Sequence, residues 1–96
     1  MRNISELLNQ NGRVYVYLSS EEICNRFLHD TEKEGFTFCD GVKPTERKGA
    51  DIYALNQNRT INYVGFIGYI SFQSAKKIGN QKLVKIDYEK YISADL

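Results

Sequence analysis

The stretch RVYVYLSSEEICNRFLHDTEKEGFTF, Arg13 to Phe38, decides the fold. Its first six residues alternate: Val14, Val16 and Leu18 point one way, Tyr15 and Tyr17 the other. Both faces are apolar or amphipathic, which fits a strand inside a sheet. The period then changes from two to helical. Ile23, Cys24, Phe27, Leu28 and Thr31 fall on one stripe, with Arg26, Asp30, Lys33 and Glu34 outward. Ser19, with Glu22 three residues on, reads as a capping box, and Gly35 supplies the stop. Phe36-Thr37-Phe38 returns as a short strand with both aromatics on one face. A strand-helix-strand unit of this size implies a crossover, so the second strand is expected parallel to the first.

Upstream, Asn3 to Gln10 reads as a short amphipathic helix with Ile4, Leu7 and Leu8 on one face, stopped by Asn11-Gly12. Downstream, Asp51–Leu55 and Thr60–Val64 pair as a hairpin around Asn56-Gln57-Asn58-Arg59. Gly65 and Gly68 break the apolar run Phe66–Phe72, where a bulge or turn is expected. Ser74–Gly79 reads as a turn or a single helical turn, Lys82–Asp87 as a last strand, and Tyr88–Ile92 as a closing helical turn. The sum is one α+β domain over residues 1–96. Its sheet is expected to be mostly antiparallel and five- or six-stranded, with the main helix on one face and the short N-terminal helix beside it. The sheet face that carries Tyr15 and Tyr17 needs a cover, supplied by the N-terminal helix or by a second subunit; a homo-oligomer is expected.

Charge and cysteines exclude several classes. Formal net charge is +1, without the basic excess of a duplex-DNA binder. Acids crowd Ser19–Asp40, while bases lead later, at Lys43, Arg47 and Lys48 and at Lys76, Lys77, Lys82 and Lys85. Cys24 and Cys39 are too far apart for a metal-ligand pair, and the single His29 cannot complete a zinc set. We read no cofactor motif, no signal peptide and no run of membrane-spanning length. The expectation is a cytoplasmic protein with free thiols.

Chemistry concentrates in Cys39–Ala50. Asp40-Gly41 fits a tight turn, and Lys43, Thr45 and Arg47 alternate around the only proline, Pro44. An extended loop would project those three on one side, as ammonium, hydroxyl and guanidinium groups suited to a phosphate or carboxylate. Asp40 would orient the loop or hold a ribose. The bland alternative is a solvated loop with internally paired charges, and both readings stay open. A second feature is Asn62–Tyr69, where Tyr63, Phe66 and Tyr69 flank two glycines. These aromatics form either a stacking platform for a base or core packing around a bulge. Walker-loop spacing is absent, and no Ser-His-Asp or Cys-His order can be placed.

The segment Glu34–Arg47, with Asp51-Ile52 and Tyr63–Gly68 after it, resembles small phage and mobile-element proteins of Gram-positive bacteria that carry no assigned activity. The likeness runs over roughly Val14 to Phe72. It implies a host-cell cytosol setting and an anti-defence role, by capture of a nucleotide immune signal or by blocking a defence protein. The leading expectation is a non-enzymatic accessory protein that sequesters a small anionic, nucleotide-like ligand. Lys43, Thr45 and Arg47 would sit on phosphate, Tyr63, Phe66 or Tyr69 on the base, and Asp40 beside them. The alternative is a protein-protein inhibitor that uses its aromatic sheet face or its acidic helix.

Overall fold

A computed structural model describes residues 3–9, 13–47, 49–64, 77–78 and 81–93. Among these residues, six strands and two α-helices follow in order: β1 (Arg13–Tyr17), α1 (Glu21–Lys33), β2 (Thr37–Phe38), β3 (Ile52–Asn56), β4 (Thr60–Tyr63), β5 (Lys77–Ile78), β6 (Gln81–Asp87) and α2 (Tyr88–Ser93). Five strands form one sheet in the order β2-β4-β3-β1-β6, and β5 adds to the outer side of β6. The expected pairing direction needs correction. The β1–β3, β3–β4 and β5–β6 pairs are antiparallel, but β1–β6 and β2–β4 are parallel, so the sheet is mixed.

The pairings give β1, β2, β4 and β6 one direction and reverse only β3 and β5. The strand-helix-strand reading therefore had the direction of β2 right, and β2 takes β4 as its neighbour. The β3–β4 hairpin occupies the space between β1 and β2. Antiparallel hairpin pairing is local and cheap in loop entropy, so the hairpin forms as a unit and separates the two crossover strands. Its turn, Gln57-Asn58-Arg59, closes with Arg59 at φ 63, a left-handed position usually given to glycine.

Contacts hold Arg59 in that conformation. Its Nη1 donates to Ser5 Oγ at 3.0 Å and to the Glu34 carbonyl at 3.2 Å, and its guanidinium lies 5.6 Å from the Phe36 ring. The Glu34 carboxylate meanwhile accepts from Ile4 N at 2.7 Å, Ser5 N at 3.0 Å and Ser5 Oγ at 2.8 Å. An acid at a helix C-terminus opposes the helix dipole. Here it caps another segment instead.

That segment is a 3-10 turn, Ile4–Asn9, where an α-helix was expected. Ile4 and Leu7 are buried, an i, i+3 pair that a three-residue turn brings onto one line. Such a short piece gains nothing from α-helical propagation.

α1 keeps its expected stripe: Cys24, Phe27, Leu28 and Thr31 are buried. The N-cap shifts by one residue. Ser20 Oγ accepts from Ile23 N at 3.2 Å, so no capping box forms at Ser19. Gly35 ends the helix at φ 86, as read. Asp30, expected outward, instead accepts from the Tyr88 hydroxyl, with Arg26 Nε at 3.2 Å from the same oxygen. This ties α2 to α1.

The helix-side core joins Val14, Val16, Phe27, Phe38, Tyr53 and Ile61. On the opposite face Tyr15, Ile52, Ala54 and Leu83 are also buried, with Tyr17 and Val64 packed against them. Of the two tyrosines on that face, Tyr15 is buried and Tyr17 half-buried within one chain. The N-terminal turn lies in the helix-side core and does not cover that face. Lys77–Ile78 is a strand where a turn was read, and the Gly65–Phe72 reading lies outside the described residues.

Two expectations test this packing. Glu34→Ala removes the acceptor of three hydrogen bonds and should cost about 1–3 kcal/mol. Thermal melting should show a drop of several degrees or more, with α1 helicity kept. Burial also pushes the Tyr53 and Tyr88 phenols well above their ordinary value; at Tyr88 the Asp30 carboxylate adds to it. A raised pKa gives stability that is full below the unfolded value, about 10, and is lost as pH rises beyond it. Urea midpoints should therefore fall above about pH 10, and fall less in Tyr53→Phe and Tyr88→Phe.

Candidate functional site

The connection from β2 to β3 is folded tightly and is not extended. Gly41, at φ 88, allows a turn in which Gly41 N donates to the Phe38 carbonyl at 2.9 Å and Phe38 N to the Val42 carbonyl at 2.8 Å. Asp40 Oδ1 accepts from Val42 N at 3.3 Å, a side-chain turn of the type Asp favours. Pro44 then starts a 3-10 turn, Pro44–Glu46, and is itself buried.

That turn sends the alternating residues in different directions. Thr45 faces α1: its N and Oγ both donate to Glu32 Oε1, at 3.2 and 2.7 Å. Those two bonds, with smaller help from Lys43 and His29 nearby, hold the Glu32 carboxyl below its ordinary value. Lys43 is exposed. Arg47 turns back over β2. Its Nη2 pairs with Asp40 Oδ2, and its guanidinium lies 4.8 Å from the centre of the Phe38 ring. The Arg47 bond is the main reason the Asp40 carboxyl also sits low.

The structure therefore separates Thr45 and Lys43 from Arg47 and brings Arg47, Asp40 and Tyr63 together around Phe38. The Tyr63 ring packs 5.4 Å from Phe38 and 5.4 Å from Tyr53, yet Tyr63 keeps 44% of its surface exposed. Phe66, Tyr69 and Lys48 lie outside the described residues.

Arg47 also reaches a groove that the sequence did not announce. Its volume is about 490 Å³, and Leu18, Cys24, Gly49 and Ala50 are among the residues that line it. Ser20, Glu21 and Asn25, from the start of α1, line it too, as do Arg47 and Asp51. Cys24 Sγ donates to the Ala50 carbonyl at 3.5 Å, and burial pushes its thiol up, away from the reactive thiolate. Cys24 and Cys39 are both free. Among the described residues no cluster of three or more His, Cys, Asp or Glu is placed to hold a metal ion. None of the helices among those residues is long and apolar enough to cross a membrane.

The missed signal was Gly49. Its backbone lies so close to Cys24 Sγ that a side chain there would overlap the sulfur. A glycine beside a charged loop reads as a turn until its packing partner is known.

Searches against protein-family models, curated proteins and solved structures found no match to this chain.

Gly49→Ala should cost about 1–3 kcal/mol through overpacking of Cys24. The double variant with Cys24→Ala should recover part of that loss in chemical denaturation. Equal stability of Gly49→Ala and the parent would contradict the packing.

Proposed function

We propose that this chain is a non-catalytic, phage-type accessory protein that sequesters a small anionic ligand in the groove at the head of α1. Arg47 is its anchor. One observation carries the reading: Arg47 lines the groove, and its side chain is only partly exposed, with the guanidinium over an aromatic ring. Guanidinium donors in such a setting are well suited to carboxylates and phosphates. Ser20 and Asn25 add neutral polar groups to its lining. Beyond Phe38, Tyr63 offers an exposed ring on which a base would stack, which makes a nucleotide-derived signal the leading ligand class. Thr45 turns to Glu32 and Lys43 is exposed, and neither lines the groove or has a part in this version of the site. A sequestering protein needs affinity alone, so the reading requires no catalytic constellation.

A second reading rests on Tyr63, the one exposed large hydrophobic residue among those described. A protein-protein inhibitor of a host defence factor would use that ring as its anchor.

Isothermal titration against cyclic and linear nucleotides tests the first reading. Arg47→Ala should weaken binding by about tenfold or more while the melting curve persists. No heat across the panel, with a stable protein complex lost in Tyr63→Ala, would favour the second reading.

A further inference from the structure

The groove is electrically uneven. Its lining carries one basic residue, Arg47, and two exposed acids, Glu21 and Asp51. Asp40 already pairs with the Arg47 guanidinium from outside the groove. It is also restrained there: Val42 N holds its other oxygen, and Gly41 fixes the turn behind it. A ligand bearing several charges would gain one attraction at Arg47 and meet repulsion from Glu21, Asp51 and Asp40. A ligand bearing one charge would gain the same attraction with far less repulsion. Its remaining acceptors would turn to the uncharged groups, Ser20 and Asn25.

We infer, on the basis of the function proposed above, that the groove selects a singly charged anionic group, a phosphodiester or a carboxylate, over a polyphosphate. Asp40 is the internal competitor that sets its affinity. The Asp40 carboxylate occupies on Arg47 the kind of place a ligand's anion would take. Binding therefore means that Arg47 exchanges or shares one carboxylate partner for another. The acids that surround the cation act as a filter, because electrostatic selectivity depends as much on what is repelled as on what is attracted.

The test keeps the base constant and varies the charge. Cyclic AMP, AMP and ATP, carrying progressively more negative charge, are titrated at fixed salt into the parent and into Asp40→Asn, Glu21→Gln and Asp51→Asn. Benzoate is the carboxylate arm. In the parent, affinity should fall by about tenfold from cyclic AMP to ATP. Asp40→Asn should tighten every anion that binds, by about tenfold. Glu21→Gln and Asp51→Asn, at exposed positions, should flatten the series even if Asp40→Asn fails to fold. Binding of benzoate without cyclic AMP would identify the carboxylate as the source. Affinity that rises with charge, or that weakens in a folded Asp40→Asn, would overturn this inference and leave the proposed binding function standing. Silence of all four probes toward both the parent and Asp40→Asn would remove both.

Discussion

A chain of touching aromatic rings holds the molecule together. Tyr91 lies 6.2 Å from Tyr88, Tyr88 5.2 Å from Phe27, and Phe27 5.5 Å from Tyr53. Tyr53 then meets Tyr63 at 5.4 Å and Phe38 at 6.2 Å, and Arg47 sits on Phe38. Each such pair adds about 0.5–1.5 kcal/mol beyond its buried area. The chain crosses from α2 through α1 to β3, β4 and β2, so it joins elements far apart in sequence. It also gives the candidate site a rigid base, since the ring beneath Arg47 is packed into the core.

The charges obey a second rule. Among the described residues, many acids of the acidic half are committed to specific partners. Glu34 caps the N-terminal turn, Glu32 holds Thr45, Asp30 receives Tyr88, and Asp40 holds Arg47. Exposed pairs of this kind contribute little stability one by one. Their value lies in orientation. They fix where the β2–β3 connection turns, and so where its cation points. Of these four, only Asp40 meets a base of the later stretch; the others hold backbone or hydroxyl groups.

Much of the fold was legible because it is locally encoded. The stripe of Cys24, Phe27, Leu28 and Thr31 predicted α1, and Gly35 marked its end. Alternation gave β1, and the apolar runs on both sides of Gln57-Asn58-Arg59 gave the β3–β4 hairpin. The candidate site was legible only in composition. Arg47, Asp40 and Tyr63 were singled out and do gather at Phe38, but the expected row of Lys43, Thr45 and Arg47 does not form. The reason lies in Pro44, whose 3-10 turn breaks the alternation an extended chain would have kept.

By itself, the sequence determined those elements whose hydrogen bonds and apolar periodicity close within a few residues: α1, β1, the hairpin and the Asp40-Gly41 turn. Tertiary structure alone decided that β6 lies parallel beside β1, that the hairpin parts β1 from β2, and that Glu34 reaches back to Ile4. It also decided that Gly49 closes over Cys24 to shape the groove. These outcomes depend on which distant surfaces meet, and a strand's alternation or a helix's stripe says which face is apolar without naming its partner.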